Sequence, residues 1–224
     1  MTVFVKFCGL TTIEDVKTTV SLGVDAIGLV FYALSPRAVT PAQAKELITH
    51  IPPFTTVVAL VVNMGESEIV TLAEKVPFDV LQFHGDESAE FCSYVAKITH
   101  KRWYKALRIS DEHSVDDIMT TIQKLKSLGA SAVLLDAYHP DKFGGTGEQF
   151  DWSKIPENSP LPIILAGGLN PDTIGDITKN QALLSRICGV DVSGGIEKEK
   201  GVKCEIKMKA FIKNMTDIKI KGQS

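Results

Sequence analysis

The most constraining feature of this sequence is an alternation of short apolar runs with stretches of helical periodicity, sustained from end to end without a linker or low-complexity break. Runs rich in β-branched residues fall at 3–8, 26–31, 57–62, 80–83, 103–108, 132–136, 162–166 and 187–192. Segments with a 3.6-residue apolar period lie between them, at 12–22, 41–50, 66–76, 88–98, 114–128, 171–179 and 203–215. Capping residues open several of these: Thr11 or Thr12, Thr40 before Pro41, and Asn170 before Pro171. Gly23 and Gly129 stand where helix C-caps belong, each just ahead of a strand. Eight strands alternating with helices predict an α/β fold, a single (β/α)8 TIM barrel spanning residues 1–224. The alternative, a doubly wound open sheet, would want a glycine-rich fingerprint after the first strand, and "CGLTTIED" is not one. The short, proline-bounded segment 151–160 predicts that one helical connection is replaced by irregular chain, and 216–224 reads as a loosely attached tail.

Composition narrows the function classes. A formal charge of −3 over 224 residues gives no basic face for nucleic acid and no polybasic membrane anchor. No apolar run reaches membrane-span length and no signal-peptide profile opens the chain, so the expected setting is cytoplasmic. The four cysteines, at 8, 92, 188 and 204, form no CxxC pair and read as reduced thiols. The five histidines, at 50, 84, 100, 113 and 139, show no ligand spacing, so no metal is expected. Oligomeric state is open between monomer and homodimer.

In a barrel of this kind, active sites form at the C-terminal ends of the strands. Those ends carry Cys8-Gly9, His84-Gly85-Asp86, Asp136, Gly167-Gly168 and Asp191 with Gly194-Gly195. Glycine pairs after the last two strands bring backbone N–H groups close to an anion, which predicts a phosphate site there. A third glycine cluster, "GGTGEQFDW", follows the sixth strand and reads as a loop that folds over substrate. Side chains alternate along a strand, so Lys6, Cys8, Gln82, His84 and Asp136 should point into the barrel while Val5 and Phe7 face the helices. A buried Lys6 needs a carboxylate, and the strand bearing Asp191 is its neighbour in a closed barrel. Cys8, at the rim beside a phosphate site, is a candidate nucleophile or proton acceptor rather than a small core residue. Arg37, in "LSPRAV", is either a solvated cation or a bidentate grip for a substrate carboxylate.

Taken together, "KFCGLT", "GLVF" followed by "SPR", "LQFHGDE", "LLDA", "GGTGEQFDW", "LAGGLNP" and "VDVSGGIE" resemble the phosphoribosylanthranilate isomerase family of tryptophan biosynthesis, over about residues 3–212. The resemblance implies an Amadori rearrangement of a small phosphosugar substrate, with no cofactor and no metal. It implies that Cys8 is the general base acting at C2 and Asp136 the general acid acting on the ring oxygen. Arg37 would bind the anthranilate carboxylate, and Gly167, Gly168, Gly194 and Gly195, helped by the backbone near Gly145, would bind the phosphate. Asp191 is a further substrate contact, with Lys6 and His84 in support. Where the family commonly has S-S-G-V-E this chain has "SGGIE", which alters one hydroxyl near the phosphate. Lys200 and Cys204 stand where proline and aspartate are frequent, which weakens the start of the last helix. Two rivals remain on the same barrel. A different sugar-phosphate isomerase would favour two carboxylates, and a non-catalytic phosphate-binding barrel would have no use for Cys8, Asp136 and Arg37 together.

Overall fold

The computed structural model describes residues 3–137 and 150–221, with side chains as far as 215. Its parallel strands are β1 (Phe4–Cys8), β2 (Ala26–Phe31), β3 (Thr56–Val61), β4 (Val80–Phe83), β5 (Arg102–Ile109), β6 (Ala132–Ala137), β7 (Ile163–Leu165) and β8 (Gly189–Val192). They pair in sequence order, and β8 closes on β1 with Lys6 opposite Asp191. This is the predicted (β/α)8 barrel. An outer layer is built by α1 (Ile13–Ser21), α2 (Pro41–Ile48), α3 (Glu66–Lys75), α4 (Ala89–Ile98), α5 (Val115–Ser127), α6 (Pro171–Lys179), the short α7 (Gln181–Leu184) and α8 (Glu205–Lys221).

Local chemistry starts and stops these helices where the sequence indicated. Thr12 accepts a hydrogen bond from the Asp15 amide at 3.1 Å, and Asn170 accepts from the Asp172 and Thr173 amides at 2.8 and 3.0 Å. Gly23 and Gly129 take φ of +69° and +89°, the left-handed turn that ends α1 and α5.

Two apolar layers result. Outward strand residues and the inner faces of the helices make the larger core, in which the Phe7 ring meets Phe211 of α8 edge-on at 5.8 Å between centroids. Inside the barrel, Ala26, Val58, Tyr104, Leu134 and Ile164 fill the lower part, and Cys8, Val30, Leu60 and Val62 cluster near the mouth.

Some features differ from the sequence reading. Among the described residues, the connection from β6 to β7 carries one 3-10 turn, Trp152–Lys154, as the irregular segment predicted. A hairpin of β9 (Glu197–Glu199) and β10 (Val202–Lys203), unforeseen, follows β8. Helix α8 runs on to Lys221, through the first part of the expected tail, and residues 222–224 lie outside the described residues. No helix among the described residues is long and apolar enough to cross a membrane.

Candidate active site

The strand ends open into a cavity of about 360 Å³ at the C-terminal mouth of the barrel. Cys8, Arg37, His84, Asp136 and Asp191 line it, together with the backbone of 167–170 and 193–195. Its volume suits a small ligand. Among the described residues, every expected site residue except Lys6 therefore borders one space. Lys6 lies a layer deeper, 1% exposed. Gly145 and the rest of "GGTG" lie outside the described residues.

Beneath the cavity runs a buried polar chain. The Lys6 ammonium donates to Asp191 Oδ2 at 2.6 Å and to Gln82 Oε1 at 3.0 Å. Tyr104 donates its phenolic proton to the same Gln82 oxygen at 2.9 Å. Gln82 Nε2 lies 2.9 Å from His84 Nδ1, and His84 Nε2 lies 3.2 Å from Asp136 Oδ2. The last pair is in ion-pair range, yet the ring N–H is not aimed in line at the oxygen, so Nε2 has no hydrogen bond among the described residues. Asp136 Oδ1 accepts from the Ala137 amide at 2.9 Å. Burial alone would strip the charge from Lys6, but Asp191, with Cys8 and Tyr104, outweighs it and holds the ammonium well above the ordinary lysine value.

Cys8 ends β1 with its sulfur in the mouth, 4% exposed. Burial pushes its thiol above the usual value, while Lys6 and Lys203 pull the other way and offset part of that shift. Room for this thiol comes from Gly28 on β2. A Cβ there would lie 2.6 Å from Cys8 Sγ and 3.1 Å from Lys6 Nζ.

Arg37 has a partner that the sequence reading did not foresee. Its Nε and Nη2 are already engaged, 2.7 and 2.9 Å from the two oxygens of Glu197, so that edge of the guanidinium does not meet a ligand. The Nη1–Nη2 end is the part left for an anion. Glu197 also accepts from the Lys203 ammonium at 2.8 Å. Burial would raise the Glu197 carboxyl, but Arg37 and Lys203 together outweigh it and hold it below its usual value. Neither Glu197 nor Lys203 was found by sequence reading, because both lie in "EKEKGVKC", a run whose charges suggest solvent.

The two glycine loops expected to hold phosphate are built from each other. Gly167 and Gly168 take φ of +82° and +64°, and α6 begins directly after them with its Asn170 cap. A Cβ on Gly195 would overlap the Leu169 carbonyl oxygen, so the two loops touch backbone to backbone. The "HGDE" stretch has a structural use. The Glu87 carboxylate accepts from the Asn63 and Gly85 amides at 2.7 and 3.0 Å and from Lys105 at 3.0 Å, bracing the loops after β3 and β4.

Comparison with known proteins decides the family. Residues 5–214 match the family model described as N-(5′-phosphoribosyl)anthranilate (PRA) isomerase. The chain belongs to this family. It is 45% identical over 210 residues to the N-(5′-phosphoribosyl)anthranilate isomerase of Acinetobacter calcoaceticus, covering 94% of this chain and 95% of that one. With the same enzyme of Pseudomonas fluorescens strain Pf0-1 it shares 47% over 207 residues, 92% of this chain and 95% of the other. The crystal structure of phosphoribosyl anthranilate isomerase from Thermotoga maritima superposes with a TM-score of 0.82 at 33% identity, covering 96% of this chain and 99% of that one. A PRA isomerase structure holding reduced 1-(o-carboxyphenylamino)-1-deoxyribulose 5-phosphate superposes at 0.79 with 31% identity, again over 96% of this chain and 99% of the other. The family's members are isomerases of tryptophan biosynthesis on a TIM barrel, and this chain is one of them.

Proposed function

We propose that the chain rearranges N-(5-phosphoribosyl)anthranilate to 1-(2-carboxyphenylamino)-1-deoxyribulose 5-phosphate with Asp136 as general acid and Cys8 as general base. The carrying observation is that a thiol and a carboxyl face one cavity whose sides offer a guanidinium and a backbone anion cradle. The phosphate sits on the amides of 167–168 and 194–195 at the start of α6. The anthranilate carboxylate meets the Nη1–Nη2 end of Arg37, which Glu197 holds in place. These two anchors stretch the ribose between Cys8 and Asp136. Asp191 Oδ1 is buried without a partner among the described residues and borders the cavity, so it accepts from a sugar hydroxyl.

Chemistry then needs one acid and one base. Asp136 gives its proton to the furanose ring oxygen, the C1–O bond breaks, and the nitrogen lone pair forms an iminium. That cation acidifies the C2 proton, which the Cys8 thiolate removes. The C2–H electrons flow to nitrogen, and the resulting enolamine becomes the aminoketose by taking a proton at C1 and losing the proton of its C2 hydroxyl, whose oxygen becomes the ketone carbonyl. A base weaker than alkoxide suffices because the iminium absorbs the electron pair.

The test is direct. Cys8→Ala and Asp136→Asn should each abolish the loss of substrate fluorescence while leaving the fold and phosphate affinity intact. Full turnover in either variant removes the role from that residue. A sugar-phosphate isomerase of another specificity would instead turn over a substrate lacking the anthranilate carboxylate equally well.

A further inference from the structure

From the buried chain beneath the cavity we infer that Gln82 is a positioning residue that fixes His84 as the Nε2–H tautomer, and that this N–H receives the negative charge formed on Asp136. The proposal rests on Asp136 being the acid, as above.

The hydrogen-bond roles can be assigned from the one member that has no choice. Lys6 is an ammonium and can only donate, so the Gln82 atom 3.0 Å from it must be the oxygen. Tyr104, whose proton burial holds on more tightly than usual, adds a second donor to that oxygen at 2.9 Å. The amide nitrogen is therefore the atom turned toward His84 Nδ1, at 2.9 Å, and an amide NH2 can only donate. Nδ1 must accept, which leaves the ring proton on Nε2. All four side chains are buried, with Gln82 at 0% and His84 at 6% exposure, so no bulk water can substitute for a mismatched partner.

The consequence lies at the other end of the ring. Nε2 has no hydrogen bond among the described residues although it is buried and 3.2 Å from Asp136 Oδ2. A donor kept slightly out of line gains little from a protonated, neutral Asp136. Once Asp136 has passed its proton to the ring oxygen, Oδ2 carries negative charge and the same N–H becomes a charge-assisted donor. An interaction that strengthens as the proton leaves lowers the barrier rather than merely tightening binding. The opposite tautomer would aim a lone pair at that oxygen and oppose the step.

Two measurements test this. In the 15N-edited histidine spectrum of the wild type at pH 8, His84 should show an unprotonated Nδ1 and a protonated Nε2. A protonated Nδ1 would overturn the assignment. Gln82→Glu, nearly the same shape, presents an acceptor to Nδ1 and should reverse those two signals. It should lower kcat tenfold or more with KM within about threefold, since the substrate anchors are untouched. Reversed signals with wild-type kcat would sink the functional half of the proposal, and unreversed signals would sink the lock. Should that variant not fold, position 84 decides. His84→Gln places an amide donor near the Nε2 position and should keep most of kcat, whereas His84→Leu should lose tenfold or more. Equal losses in the two would mean that shape, not the donor, matters. Turnover surviving in Asp136→Asn would refute the acid assignment while leaving the spectroscopic result standing, so the two failures are distinguishable.

Discussion

Gly28 is the position where a single methyl group should separate catalysis from folding. It lies on β2 opposite Cys8 in the parallel register, and a Cβ there would stand 2.6 Å from Cys8 Sγ. Comfortable carbon contacts begin near 3.5–4.0 Å, so Gly28→Ala displaces the sulfur by roughly 1 Å or moves the strand. Overpacking of that kind costs about 1–3 kcal/mol, and at roughly 2–4 °C per kcal/mol for a chain of this size the melting temperature should fall by about 2–12 °C. Activity should fall much further. A misplacement near 1 Å costs on the order of 10²-fold in rate, and in the proposed mechanism that sulfur must reach the C2 proton. The assay is the loss of phosphoribosylanthranilate fluorescence, read as kcat and KM, beside a thermal melt. The stability penalty should also shrink when Gly28→Ala is placed in a Cys8→Ala background, because the colliding atom has gone. A variant with a lowered melting temperature but kcat within about threefold of wild type would refute the view that the thiol's position is what Gly28 protects.

The pH dependence follows from the raised thiol of Cys8. Its basic form is scarce at neutral pH, so kcat/KM should climb through pH 7–9 without a plateau by about pH 8.5, the usual thiol value; a plateau near pH 7 would contradict this. Stability runs the other way. Cys8, Cys92 (pushed up to about 12) and Cys188 (about 11) all have folded values above their unfolded ones. Their contribution is whole below about pH 8.5 and is lost as pH rises through the folded values, so denaturation midpoints should drop across the alkaline range in which activity rises. Lys6→Met leaves Asp191 buried without its cation and should destabilise by about 3–5 kcal/mol in a denaturant titration; a change under 1 kcal/mol would show that the pair is dispensable. Gly175, inside α6 with open space around its missing Cβ, is the opposite case. Gly175→Ala should stabilise by about 0.4–1 kcal/mol with activity unchanged, and a loss of stability would mean the helix interior is misdescribed.

How much of this was legible beforehand depended on whether a residue's surroundings followed from strand periodicity. Lys6 and Asp191 could be paired from the sequence because barrel closure makes β1 and β8 neighbours, and alternation turns both side chains inward. Cys8, His84 and Asp136 followed for the same reason. The hairpin after β8 did not, since its polarity is inverted. Lys203 is 5% exposed and Glu197 6%, while the apolar Val202 is 38% exposed. A charge run normally marks solvent, and here it marks a buried salt link in which Glu197 meets both Lys203 across the hairpin and Arg37 from the loop after β2. One signal was available. Gly201, at φ +83° between the two charged strands, is a turn residue, and a turn there would have placed Glu197 and Lys203 on one face. Arg37 was expected at the mouth and lines the cavity, but its geometry was not foreseen, because the partner that fixes its guanidinium lies 160 residues away.

In the proposed mechanism Cys8 is the base and Asp136 the acid. A thiol and a carboxyl, left to their ordinary acidities, would take the reverse roles: the carboxyl ionises first and makes the natural base. In this barrel the thiol is flanked by two ammonium groups, those of Lys6 and Lys203, which offset part of the burial that raises it and favour its anion. Asp136 faces two donors, the Ala137 amide and, with the tautomer inferred above, the His84 Nε2–H, and both stabilise the carboxylate left once its proton has gone. Lys6 serves both ends, since the proton-donating contacts that steady the thiolate side also orient the Gln82 amide that fixes His84. The proposed acid and base are thus coupled through one buried lysine, and Lys6→Met should damage the Asp136 side as well as the Cys8 side. In that variant the Gln82 amide keeps only Tyr104 as its guide, so the His84 15N signals should broaden or split between the two tautomers. A single sharp Nε2–H signature in a folded Lys6→Met protein would show that the two halves of the site are set independently.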